Sequence, residues 1–75
     1  MESKYKAQYK LLGLNIAYYR KSKGFSQMKF AEIIDISRTH MNRIENAECA
    51  VSLDVLFSIS EALGIQIGQL FDFRQ

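Results

Sequence analysis

The sequence contains no proline and no tryptophan, one cysteine, one histidine and four glycines in 75 residues. Without proline, no ring breaks a helical stretch from within. The supply of Leu, Ile, Ala, Lys and Glu then favours an all-α fold. Cys49 has no second cysteine to pair with and no His or Cys at metal-ligand spacing. A disulfide framework and a zinc site are thereby excluded, and a reducing compartment is favoured. Cys49 reads as a small loop residue. Long apolar runs are missing as well. The longest mostly apolar stretch, Leu11 to Tyr19, is interrupted by Gly13 and Asn15 and falls far short of the roughly 20 residues that span a bilayer. Lysines precede it as in a secretory signal, but Arg20, Lys21 and Lys23 follow it instead of a small-residue cleavage site. A cytoplasmic location without membrane contact is expected. Enzyme signatures are also missing: there is no paired-carboxylate motif, phosphate loop, Cys/His pair or nucleophile elbow. No catalytic residue, cofactor, metal or small-molecule ligand is expected.

What is present is charge, unevenly placed. Residues 1–43 hold nine basic and three acidic groups, net +6, and residues 44–75 hold one basic and five acidic groups, net −4. A chain charged in this way can offer one basic face to a polyanion. Charge alone does not separate that reading from a solvated surface whose signs happen to segregate. The length permits one domain, near the lower limit for folding alone, so self-association is expected to add stability.

Hydrophobic spacing places five helices. Leu12, Ile16 and Tyr19 form the first apolar stripe, and Lys21, Lys23 and Gly24 mark its C-terminal end. Residues 1–9 form a polar extension that either continues this helix backward or frays. Ser26 caps a second short helix with Phe30, Ala31 and Ile34 inward and Phe25 closing its end. Asp35-Ile36-Ser37 makes a tight turn, and Ser37 caps a third helix running to about Asn46. Met41 and Ile44 are its only large apolar residues, so Arg38, Thr39, His40, Asn42 and Arg43 lie off the buried stripe. Ser52 caps a fourth helix with Asp54 in its first turn, Leu53, Leu56, Ile59 and Leu63 as its apolar face and Gly64 as its stop. Ile65, Ile67, Leu70 and Phe71 fit a short fifth helix. Two short helices around a tight turn, the second polar outside, describe a helix-turn-helix. An ordinary amphipathic helix with a solvated face fits the third helix equally well when it is judged by itself.

From Leu12 to Phe71, about four fifths of the chain, the sequence resembles the Cro/repressor (XRE) helix-turn-helix family of lambda-repressor-like domains. The resemblance rests on Leu12-Gly13, Ile16, Arg20, Lys23-Gly24-Phe25-Ser26-Gln27, Phe30-Ala31-Glu32, Ile36-Ser37-Arg38, Met41 and Arg43-Ile44-Glu45-Asn46. Ser52-Leu53, Leu56, Ile59, Ala62-Leu63-Gly64-Ile65 and Leu70-Phe71 continue it without gaps through the motif. The resemblance implies a compact five-helix lambda-repressor-like bundle over residues 10–75 that binds double-stranded DNA with helices 2 and 3. It implies base contacts from Arg38, Thr39 and Arg43, with His40 and Asn42 beside them, and phosphate contacts from Gln27, Ser37 and Asn46. It also implies an Arg20–Glu45 ion pair tying helix 1 to helix 3. The chemistry agrees, since an Arg fork matches guanine or a carboxylate, although two exposed charges remain the alternative for Arg20 and Glu45.

Two departures stand out. Asp35 occupies a turn position usually held by glycine, and Asn46-Ala47-Glu48 replaces a glycine followed by a basic residue. The second should weaken DNA affinity. The expected function is a sequence-specific transcriptional regulator, a repressor or controller, reading a near-palindromic site as a homodimer. An antitoxin-like protein-interaction module on the same fold is the alternative. Ile67, Leu70, Phe71 and Phe73 exceed what a short terminal helix needs and are the expected dimer interface. Leu11, Leu14 and Tyr18 on helix 1 come second, unless residues 1–9 fold back over them.

Overall fold

Three serines start helices and four left-handed residues end them. In a computed structural model describing residues 1–73, the hydroxyls of Ser26, Ser37 and Ser52 accept from the backbone N–H of Lys29, His40 and Val55 at 3.0, 3.0 and 3.1 Å. Each satisfies one of the donors that a helix start leaves without a partner. The resulting elements are α1 (Lys6–Ser22), α2 (Gln27–Ile33), α3 (Arg38–Glu45), α4 (Leu53–Leu63) and α5 (Ile67–Leu70), with no strand among the described residues. Arg74 and Gln75 lie outside them.

Helices α1 to α4 all end the same way. Gly24, Asp35, Ala47 and Gly64 have φ of +82°, +59°, +56° and +68°. The next residue's N–H returns to a carbonyl five positions back: Phe25 to Arg20, Ile36 to Ala31, Glu48 to Arg43 and Ile65 to Ser60, at 2.8–3.1 Å. This closure usually carries an apolar residue just beyond the left-handed one. Phe25, Ile36 and Ile65 fill that role and pack against the core, whereas Glu48 stays exposed.

The core is one cluster. Ile16, Phe30, Met41, Ile44, Ile59, Leu63 and Leu70 are fully enclosed. At that scale, each contributes roughly 1.5–3 kcal/mol of apolar burial. Helix α1 crosses α3 at Gly13, whose missing side chain lets the backbones meet: a Cβ there would overlap the Glu45 carbonyl oxygen and lie 2.9 Å from that of Ile44. Asn15, also buried, donates its amide to the carbonyls of Leu70 and Asp72 at 2.9 and 3.1 Å, fastening the C-terminal segment to α1.

Several expectations change. Residues 6–9 are helical and continue α1, so they do not fold back over Leu11, Leu14 and Tyr18, which stay exposed. Leu70 is 0% exposed and belongs to the core, because α5 turns it into the bundle below Asn15; it is not available to a second subunit. Ile67 and Phe73 are half-buried against the same core, leaving Phe71 as the exposed member of the expected interface. Leu53 also points outward. The buried face of α4 is Leu56, Ile59, Ser60 and Leu63, and Leu53 lies to one side of it with Phe57. An apolar groove of about 410 Å³ separates the start of α1 from the C-terminal segment, lined by residues including Tyr5, Tyr9, Leu56, Phe71 and Phe73.

Candidate nucleic-acid interface

Helix α3 is short because it has little to bury. Met41 and Ile44 anchor it, and Arg38, Thr39, Asn42 and Arg43 face solvent. Arg38, Thr39 and Asn42 line a shallow recess of about 220 Å³. The guanidinium groups of Arg38 and Arg43 make no ion pair or hydrogen bond among the described residues, so both cations are available to a ligand. His40 is half-buried, and its backbone N–H is taken by the Ser37 cap. Among the described residues no group of three or more His, Cys, Asp or Glu side chains could hold a metal ion. No helix there is long and apolar enough to cross a membrane.

Beneath this surface lies a buried ion pair. Arg20 grips Glu45 with both sides of its fork, Nε to Oε2 at 2.6 Å and Nη2 to Oε1 at 3.0 Å, with the side chains 7% and 6% exposed. The third guanidinium nitrogen, Nη1, donates to the Phe25 carbonyl at 2.7 Å. One arginine therefore fixes the end of α1, the turn into α2 and the end of α3.

Sequence reasoning missed what Glu45 does next. Its Oε1 also accepts from Gln27 Nε2 at 2.9 Å. Gln27 Oε1 accepts from Asn42 Nδ2 at 3.3 Å, and Asn42 Oδ1 accepts from Asn46 Nδ2 at 3.2 Å. A hydrogen-bonded relay thus runs from the buried arginine to the outer face of α3. Gln27, Asn42 and Asn46, all expected to touch DNA, are first tied to one another. The side-chain carbonyl oxygens of Gln27 and Asn42 each accept from a neighbour in the relay, which orients both amides. Asn42 and Asn46 stand four apart at the end of α3, a spacing the sequence shows, whereas the bonds of Gln27 to Glu45 and Asn42 depend on how α2 and α3 cross. Gly13 and Asn15 did leave a signal, as a glycine and an amide interrupting an apolar helical stretch, but their partners lie 31 or more positions away.

The geometry fits what a major groove demands: a helix about as wide as the groove, with long polar side chains outward. Comparison with known proteins agrees. A helix-turn-helix family model matches residues 16–70. The control protein C.BamHI of Bacillus amyloliquefaciens is 42% identical over 64 residues, 84% of this chain and 79% of that protein. The control protein C.MunI of a Mycoplasma species is 43% identical over 60 residues, covering 79% and 81%. The crystal structure of the restriction-modification controller protein C.AhdI from Aeromonas hydrophila superposes with a TM-score of 0.86 at 26% identity, over 92% of this chain and all of that one. The span matched by the family model holds the whole α2–turn–α3 unit, the end of α1, α4 and α5: this chain belongs to the helix-turn-helix family and is a DNA-binding transcriptional regulator.

Proposed function

We propose that the protein is a controller-type regulator that binds a near-palindromic DNA site as a homodimer, with α3 of each copy in the major groove. The observation that carries this reading is the outward row of α3, where two arginines without an ion pair among the described residues flank Thr39 on a helix fixed by the Arg20–Glu45 pair. Arg38 and Arg43 read guanine by paired donors, and Thr39 offers its methyl to thymine. Gln27, Ser37 and Asn46 hold phosphates, Gln27 with the amide hydrogen that Glu45 leaves free. His40, being half-buried, has the weakest access to bases. Asn42 supports more than it reads, because its ties to Gln27 and Asn46 fix the orientation of its amide.

The likeness to control proteins supports regulation of a restriction–modification locus as the biological role. The dimer follows from information content: one helix reads too few base pairs to single out a site in a genome, and two related by a twofold axis read two half-sites. Selection from a random DNA pool tests the reading. Enrichment of an inverted repeat with half-site centres about 10 base pairs apart is expected. Salt-sensitive binding with no enriched sequence would reduce the protein to a non-specific polycation, and no binding at all would favour the protein-interaction module.

A further inference from the structure

The groove between the start of α1 and the C-terminal segment changes in chemistry from its rim to its floor. Tyr5, Gln8, Tyr9 and Leu12 stand at i, i+3, i+4 and i+7, so they share one side of the chain as it enters and follows α1. Along that side exposure falls from 53% at Tyr5, through half-buried Tyr9, to 5% at Leu12. Leu12 and Leu56, both buried, close the bottom, and Val51 completes the aliphatic part. Phe71 and Phe73 line the groove from the C-terminal segment, their ring centroids 6.5 Å apart. Asn15 holds the carbonyls of Leu70 and Asp72, so the segment that carries both rings is pinned to α1. At the rim, the Lys4 ammonium lies 5.2 Å from the centre of the Tyr5 ring. Lys4 has no ion pair among the described residues, and no carboxylate among them lines the groove.

From this arrangement we infer that the groove binds a small aromatic monoanion, a flat apolar ring system carrying one carboxylate. Its rings lie between the tyrosines of α1 and the two phenylalanines, and its carboxylate meets Lys4 at the rim. The site is distinct from the DNA-reading row of α3, with which it shares no lining residue. The sequence carries no motif for such a ligand, because the lining gathers residues from three separate parts of the chain.

Size, walls and charge select this class together. The volume of about 410 Å³ falls within the roughly 300–1,000 Å³ of small-molecule sites. Four aromatic rings attract another ring beyond the area it buries, whereas an acyl chain gains from the area alone. Aromatic walls also attract cations. A cationic ligand, however, would meet the Lys4 ammonium already set against Tyr5 and would find no carboxylate in the lining. An anion meets the opposite situation. Leu12, at the bottom, precedes Gly13, where α1 crosses α3. A ligand held only by the folded chain raises the stability of a domain this short, and the bundle that carries α3 gains with it.

Titration of the isotope-labelled protein with 2-naphthoate, read from backbone amide shifts, tests this. Saturable shifts confined to residues 4–12, 51–56 and 70–73 are expected, with a melting temperature that rises with ligand concentration. The alcohol 2-naphthalenemethanol keeps the rings without the charge and should bind about three- to fivefold more weakly at low salt. Decanoate keeps the charge without the rings and should bind weaker by about threefold or more. Lys4→Glu, at an exposed position, should weaken naphthoate by about fivefold and leave the alcohol unchanged. Phe71→Ala should weaken both by about tenfold, with circular dichroism to check that each variant folds. Absence of saturable shifts, or shifts centred on Arg38 and Arg43, would overturn the inference. So would decanoate or phenyltrimethylammonium binding as tightly as naphthoate. If the groove residues shift on raising protein concentration alone, and naphthoate then no longer reaches them, the groove belongs to a second copy and the ligand site is wrong.

Discussion

The α carbon of Gly13 faces the carbonyl oxygen of Glu45 so closely that no side chain fits between them. Gly13 sits mid-helix, where alanine is intrinsically better by about 1 kcal/mol, so glycine is kept for the crossing and not for the helix. Gly13→Ala should therefore destabilise the fold by roughly 1–3 kcal/mol through overpacking against backbone that cannot yield cheaply. Chemical denaturation measures it, and a more stable variant would show that α1 and α3 lie farther apart.

The Arg20–Glu45 pair makes a second prediction. Arg20→Met should cost roughly 3–5 kcal/mol, because Glu45 would remain buried without its countercharge. Arg20→Met with Glu45→Leu should recover much of that loss, since paired apolar residues replace a buried ion pair well. DNA affinity should not recover in step, for Gln27 loses the carboxylate that orients it. A melting temperature unmoved by Arg20→Met would contradict the burial of the pair.

Gln27 and Asn42 should behave as supports. Gln27→Ala is expected to weaken binding to all sequences about equally, and Asn42→Ala to cost about 1 kcal/mol of affinity, the scale of one lost hydrogen bond, without altering base preference. Comparing affinities over a panel of single-base operator variants separates the two modes of loss. Discrimination relaxed at one A·T pair by Asn42→Ala would make Asn42 a reader after all.

The turn between α2 and α3 offers a gain. Asp35 holds φ at +59° while exposed to solvent, so Asp35→Gly removes left-handed strain without opening a cavity. A net stabilisation of roughly 0.5–1 kcal/mol is expected after the extra chain entropy of glycine is subtracted. Ala47 has a similar φ but its methyl group is buried, so the same exchange there should gain less. Thermal melts of both variants give the comparison.

Local chemistry was legible in the sequence because it acts over a few residues. Ser26, Ser37 and Ser52 announce helix starts, Gly24 and Gly64 announce ends, and the Met41–Ile44 stripe defines which face of α3 is buried. The resemblance added the Arg20–Glu45 pairing, which spacing alone does not supply. Leu70 departs from the expectation for the C-terminal segment, where an excess of apolar residues reads as surface. Asn15 in fact draws the Leu70 carbonyl inward and places that side chain in the core. Leu53 was assigned to the core and Phe57 passed over because helical periodicity fixes a face only to within one residue's rotation, and α4 is rotated so that Ser60 is buried and both apolar residues are not. The links of Gln27 to Glu45 and Asn42 join side chains from two helices and have no counterpart in a one-dimensional pattern.

In the proposed complex α3 reads base sequence through Arg38 and Arg43. The test is the dissociation constant of the wild type, Arg38→Ala and Arg43→Ala on the selected operator and on every single-base variant of one half-site, at fixed salt. Each alanine variant should lose roughly 1–3 kcal/mol on the operator and become indifferent at one G·C pair, a different one for each arginine. Equal losses on every sequence, or none, would contradict the claim and leave α3 a helix that contacts the DNA backbone without reading its sequence.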